Sequence, residues 1–211
     1  MPPAPAALAA VAADGASQGS LARYAELLAT AGVERGLIGP REVPRLWDRH
    51  LLNCAVAVPL VPDGADVIDV GSGAGLPGIV WAIVRADITV TCLEPLQRRA
   101  TFLEEAVAEL GLGARVQVVR GRAEDIVRGR GPVTSLRARV VTARAVAPLE
   151  RLAGWTVPLV QPGGELLALK GRSASEEVQA SRSVLERLGI VAVDVVECGE
   201  GVVDPVTTVV L

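Results

Sequence analysis

The chain has 211 residues, half of them hydrophobic and 21% charged, with a formal net charge of −3, which suffices to bury the core of one globular domain. A protein that coats nucleic acid without specificity carries a large basic excess, so this charge excludes that class while leaving room for a local basic patch. Cys54, Cys92 and Cys198 are odd in number, far apart and without a CxxC pair; this excludes a disulfide framework and a zinc site and fits a reducing cytoplasm.

Residues 1–19 are rich in Ala and Pro and have no basic residue ahead of their apolar run, so they are expected as a disordered tail and not a secretory signal. No run approaches the roughly 18 apolar residues that cross a bilayer, and a soluble protein is expected. From Ser20 to about Ala31, Leu21, Tyr24, Leu27 and Leu28 recur at helical spacing, with Gly32 placed as the stop. A second helix is expected over Arg41–Val58, carrying Leu46, Trp47, His50, Leu51 and Cys54 on one side and Pro44 in its first turn. Pro59, Pro62 and Gly64 punctuate the chain beyond it, so 20–63 reads as a helical N-terminal extension of a domain over 64–211.

From Asp66 the rhythm changes. The strand-like runs VIDV, ITVTCLE, RVQVVRG, ARVVTARA, GGELLALKG and IVAVDVVE alternate with helical stretches such as PLQRRATFLEEAVAELG and SASEEVQASRSVLERLG. Right-handed crossovers wind such an order into an α/β fold with a mainly parallel, seven-stranded sheet, whose ligand site lies at the C-terminal ends of the strands.

The sharpest motif runs from Val67 to Gly78, VIDVGSGAGLPG: a buried strand, a turn with alternating glycines, then a helix. Glycines there let a ligand approach the backbone amides. Gly73, Gly75 and Gly78 also spell GxGxxG, and Glu94 follows about 20 residues on, as a dinucleotide fingerprint requires. In that fingerprint, however, the first glycine directly follows the strand; here Gly71 holds that place, and Leu76 replaces the third glycine counted from it. The register favours the Rossmann-like fold of class I S-adenosylmethionine (SAM)-dependent methyltransferases. Asp69 would then orient the cationic methionine end, directly or through water. Glu94 would accept the ribose hydroxyls, and the Arg-Ala-Glu-Asp run at 122–125 would adjoin the adenine. The plainer reading makes each carboxylate an ordinary helix N-terminal acid.

Several segments together resemble the RsmG (GidB) family: LWDRHLLN, DVGSGAGLPG, LEPLQRRATFL, RAED, TARAVAPL and GGELLALKG, covering roughly residues 20–200. The resemblance implies a cytoplasmic, metal-free enzyme that methylates N7 of one guanine in 16S rRNA, with the 30S subunit as partner, and we expect it to act as a monomer. By position it implies SAM contacts at Gly71, Leu76, Ala123, Glu124 and Arg144, beside Asp69, Gly73 and Glu94. Arg144 has a second reading as an rRNA phosphate contact and a third as a solvated strand end. The stretch after WDRH reads LLNC where the family has an Asp-Ser-Leu-like string, and QRR stands where many members have lysines.

Guanine N7 is an unprotonated lone-pair nitrogen, so methyl transfer needs in-line placement within about 3–3.5 Å and no general base. No catalytic acid, base or nucleophile is nominated; the cysteines read as buried structural thiols. His50, the sole histidine, reads as a hydrogen-bonded core residue, with a role in the site as the alternative. Arg41, Arg45 and Arg49, four apart, would line one helix face and meet rRNA phosphates or remain solvated. Arg98, Arg99, Lys170 and Arg172 would add to a basic rim. Trp81 and Trp155 read as core. Three rival functions stand beside this one: an NAD-dependent dehydrogenase, a SAM-dependent enzyme acting on another RNA or a small molecule, and a non-catalytic RNA-binding factor. The first lacks a hydride-transfer partner, the family segments outside the loop argue against the second, and the intact glycines and acids argue against the third.

Overall fold

The computed structural model describes residues 2–131, 133, 135–144 and 146–211. Helix begins well before Ser20. A short α1 (Leu8–Val11) precedes α2 (Gly15–Leu27), whose first turn is capped by Asp14 accepting from the Ser17 amide at 2.8 Å. Leu8 and Ala12 are buried. The stretch expected as a disordered tail is therefore helical and packed over these residues, while Met1 lies outside the described ones. Past α2 the chain continues as a π-helical turn, Leu28–Gly32, and reverses at Gly36 in the left-handed region (φ 67°), four residues beyond the expected stop.

The expected second helix is helical but not one α-helix. Pro40–Arg45 is 3-10, Leu46–Leu52 is π-helical, and only α3 (Asn53–Ala55) is α. Pro40 and Pro44 bring no amide hydrogen to an i→i−4 ladder, so the chain takes the tighter turn there. The apolar side nevertheless turns inward as its spacing requires: Leu46, Trp47, Leu51, Leu52 and Cys54 are all buried.

Among the described residues seven strands form one sheet: β1 (Asp66–Val70), β2 (Thr89–Glu94), β3 (Val116–Arg120), β4 (Ala138–Arg144), β5 (Val160–Lys170), β6 (Val195–Cys198) and β7 (Thr207–Val210), in the order β3-β2-β1-β4-β5-β7-β6. The first five pair in parallel, and β7 lies antiparallel between β5 and β6. This is the mainly parallel, Rossmann-like sheet of the SAM-dependent methyltransferases. IVAVDVVE is strand only over its last three residues, and Ala145, at the end of the expected ARVVTARA strand, lies outside the described residues. The helices are α4 (Gly78–Val84), α5 (Gln97–Glu109), α6 (Ala123–Val127), α7 (Leu149–Thr156) and α8 (Ala174–Arg187).

Two apolar layers sandwich the sheet. On one face the N-terminal extension packs with α4 and α5 around Trp81, Tyr24, Phe102 and Leu103; on the other, α6, α7 and α8 close over Ile68, Val141 and Leu152. Two ion pairs join the extension to α5, Arg23 with Glu109 at 2.8 Å and Arg35 with Glu105 at 2.6 Å, but both are largely solvated and contribute little. The fully buried Leu21, Leu28, Leu46 and Leu51, each worth roughly 1.5–3 kcal/mol on leaving water, dominate the attachment. Trp81 is in the core as expected, its indole nitrogen donating to the Cys54 carbonyl at 2.8 Å; Trp155 is half-buried, with the Arg151 guanidinium 5.0 Å from its ring centroid. Among the described residues no helix is long and apolar enough to cross a membrane.

Candidate functional site

The order change in the sheet falls beside β1, and there the glycine loop leaves the strand. Gly71, Gly73 and Gly75 all have positive φ, at 69°, 59° and 85°. The loop is pinned by Glu94 at the end of β2: its Oε2 accepts from the Gly73 amide and its Oε1 from the Leu96 amide, each at 2.9 Å. A carboxylate oxygen has a second lone pair, so both oxygens retain capacity for a diol. A β-carbon built on Gly73 meets nothing closer than the Gly71 carbonyl at 3.8 Å; the space above the loop is open.

That space is a cavity of about 410 Å³ lined by Gly71, Gly73, Leu76, Glu94, Arg99 and Arg144, with Leu37, Ile38 and His50 from the extension. Its size suits a small molecule or cofactor. Beside it opens a larger cavity of about 790 Å³, walled by Asp48, Arg49, Asn53, Lys170, Arg172 and Asp204 among others. His50, Arg144 and Val146 line both.

Arg144, at the last residue of β4, builds this common wall. Its Nη2 donates to the Arg49 carbonyl at 2.8 Å and to His50 Nδ1 at 2.9 Å; its Nη1 donates to Cys54 Sγ at 3.1 Å and reaches the His50 carbonyl at 3.5 Å. Every acceptor belongs to the extension, so the guanidinium clamps it to the sheet as well as facing the cavity. A guanidinium only donates, so His50 Nδ1 must be the accepting nitrogen, and Nε2 carries the hydrogen toward Glu42 Oε2, 3.2 Å away. Burial, and then the Arg144 charge, lower the His50 pKa. The imidazole is neutral near pH 7, with its one lone pair already used. His50 is thus hydrogen-bonded as expected, but it stands at the boundary of two cavities and not in the core.

Other expected residues fall differently. Asp69 is fully buried beneath the loop: Oδ2 accepts from the Gly78 amide at 3.0 Å, and Oδ1 has no partner among the described residues. Gly78 has no room for a β-carbon, which would lie 2.8 Å from Asp69 Oδ2. Burial pushes the carboxyl up to about 7. Asp69 therefore supports the loop from behind, and it is not among the residues lining the cavity. Ala123 and Glu124 open α6 as expected but are likewise absent from that lining, Ala123 being buried.

The arginine row does not share a face: with three residues per 3-10 turn, Arg45 is rotated about a third of a turn from Arg41. All three are exposed, and only Arg49 reaches a cavity wall, paired with Glu42 at 3.2 Å. Lys170 is drawn inward, its amine 2.8 Å from both Glu177 Oε2 and the Ala147 carbonyl and its side chain 8% exposed; it ties β5 to α8 while lining the larger cavity. Arg98 and Arg172 are exposed, and Arg99 faces the smaller cavity. Burial raises the pKa of Cys54 and Cys92, so neither is a ready thiolate. Leu37, Ile38 and Val146 also line the smaller cavity and were not among the expected site residues; their apolar type marks only core, and no spacing brings them to the loop.

The rRNA small subunit methyltransferase G family matches residues 17–205. Similar proteins include the ribosomal RNA small subunit methyltransferase G of Salinispora tropica, 62% identical over 187 residues (89% of this chain, 77% of that protein), and that of Streptomyces avermitilis, 61% identical over 188 residues (89% and 76%). The one from Frankia alni is 55% identical over 210 residues (99% and 79%). Among solved structures, a Corynebacterium glutamicum protein superposes with a TM-score of 0.55 at 22% identity (91% and 88% covered), and precorrin-6y C5,15-methyltransferase from Geobacter metallireducens with 0.51 at 14% (82% and 88%); both likenesses speak to the fold alone. A Rossmann-like sheet, a glycine loop under a cofactor-sized cavity and a match that runs through the extension as well as the loop place the chain in one group: it belongs to the rRNA small subunit methyltransferase G family.

Proposed function

We propose that this protein transfers the methyl group of SAM to N7 of one guanine in the 16S rRNA of the small ribosomal subunit, as a cytoplasmic monomer that needs no metal ion. The observation that carries the reading is the state of His50. The one imidazole at the boundary of the two cavities has its lone pair occupied by Arg144 and its hydrogen turned to Glu42, so it is not disposed to take a proton. A nucleophile with its own lone pair needs no such base. Guanine N7 is one: its bond to the methyl carbon forms as the carbon–sulfur bond breaks, and no proton has to leave.

SAM, when bound, supplies the electrophilic methyl group on its sulfonium. In this reading the glycine loop receives its backbone-facing side, and Glu94 accepts the two ribose hydroxyls. Arg144 and His50 fix the boundary past which the base must reach, and catalysis is orientation of the two partners. Exposed Arg49 and Arg172 at the larger cavity would meet rRNA phosphates.

The test is methyl transfer from radiolabelled SAM to 30S subunits that lack this methylation, followed by strand cleavage specific for N7-methylguanine. Label confined to one guanine of 16S rRNA is the expected result. Bound SAM without transfer would move the substrate to another RNA or a small molecule; absence of SAM binding would overturn the reading.

A further inference from the structure

The glycine loop is held from two sides, and only one of them belongs to the sheet domain. From within, Glu94 takes the Gly73 amide. From outside comes Tyr24 of α2, fully buried, whose hydroxyl donates to the carbonyl oxygen of Ala74 at the top of the loop. Burial raises its pKa well above that of a free phenol, so the hydroxyl keeps the hydrogen it donates. The fit is close: a β-carbon on Gly75 would lie 2.6 Å from the Tyr24 oxygen and 2.6 Å from Ile79 Cδ1. With φ at 85°, Gly75 also holds a backbone shape that other residues rarely adopt.

The helix carrying this hydroxyl is itself fixed. Asp14 caps it, accepting from both the amide and the hydroxyl of Ser17, and Leu21 and Leu28 bury its inner side. Ala74 is buried, so a carbonyl deprived of this donor has poor access to water. Further along, the extension supplies Leu37, Ile38 and His50 to the wall of the smaller cavity.

We propose that Tyr24 is a positioning residue for the cofactor: by holding the Ala74 carbonyl it fixes the glycine loop in its binding shape, so the N-terminal extension sets part of the affinity for SAM. The inference rests on the reading of the smaller cavity as the SAM site. The loop is preorganised by a group that touches neither SAM nor RNA, and a change that disturbs α2 reaches the cofactor through one hydrogen bond.

Tyr24→Phe deletes only the oxygen. SAM affinity by calorimetry should fall about tenfold, a loss typical of one buried hydrogen bond. The KM for SAM should rise alongside, while kcat and the KM for 30S subunits stay within about twofold. A general loosening of the fold would not divide the parameters in this way. Unchanged SAM affinity, or a fall in kcat with the SAM KM unmoved, overturns the proposal. Should the wild-type protein not bind SAM, the functional reading falls and this inference with it; wild-type binding with an indifferent variant defeats the inference alone. Hydrogen exchange on the wild-type protein decides the matter even if the variant folds poorly. SAM should slow the amides of both the glycine loop and α2 around Tyr24, and slowing confined to the loop would overturn the proposal.

Discussion

Asp69 and Gly73 flank the same turn in opposite surroundings: one is sealed beneath the loop, the other faces the open cavity. Burial has raised the Asp69 carboxyl to about 7, against an ordinary value of 3.8, with Glu94 adding repulsion and the Gly78 amide opposing. The native state then binds a proton more tightly than the unfolded chain, so this group's contribution to stability is complete below its unfolded value and is lost as pH rises through about 7. Thermal unfolding of the ligand-free protein should accordingly show a midpoint that declines from about pH 4 to about pH 8 more steeply in wild type than in Asp69→Asn. Equal slopes would mean that the carboxyl is ionised throughout. Gly73→Arg should remove SAM binding in calorimetry while the fold survives: its positive φ of 59° costs a non-glycine residue only about 1–2 kcal/mol, and the added side chain enters the cavity. Wild-type affinity in that variant would show that the cofactor binds elsewhere.

At the level of elements, the five parallel strands were legible because buried parallel strands are short β-branched runs, and the glycine loop because close approach to a backbone excludes side chains. Three things were not. The 3-10 and π-helical turns of the extension were hidden because apolar spacing near 3.6 survives, approximately, in helices of other pitch; Pro40 and Pro44 were the available signal. The place of Asp69 beneath the loop was not legible, since a carboxylate at a strand end looks alike whether it points to a ligand or under a loop. The clamp at Arg144 joins elements more than 90 residues apart, a separation no local pattern encodes. That clamp predicts the cost of a conservative change. Arg144→Lys keeps the charge but has one nitrogen for acceptors spread over two, so urea unfolding should report a loss of about 1–3 kcal/mol. Methyl transfer should fall as well, because in the proposed reading this guanidinium fixes the boundary past which the base must reach. A variant as stable as wild type would make the arginine a ligand contact and not a clamp.

Across the molecule, a net charge of −3 coexists with exposed arginines at the mouth of the larger cavity. Attraction to RNA is then local and should be modest in number of phosphates engaged. If Arg49 meets one phosphate, Arg49→Ala should reduce the slope of log affinity for 30S subunits against log salt by roughly 0.7–0.9, with SAM affinity unaltered. An unchanged slope would leave Arg49 to its pairing with Glu42.

His50, Arg144 and Val146 are common to the walls of both cavities, so the two chambers have adjoining addresses and any occupant of one is tethered within a short reach of the other. A single molecule that joined an adenosine-like head to a purine by a short linker would deliver its second half at an effective concentration in the millimolar range, and its affinity would exceed that of either half by orders of magnitude. If the smaller chamber holds the cofactor as proposed, the same adjacency makes the spent cofactor an obstacle: while it remains there, a second base entering the larger chamber finds no methyl group to receive.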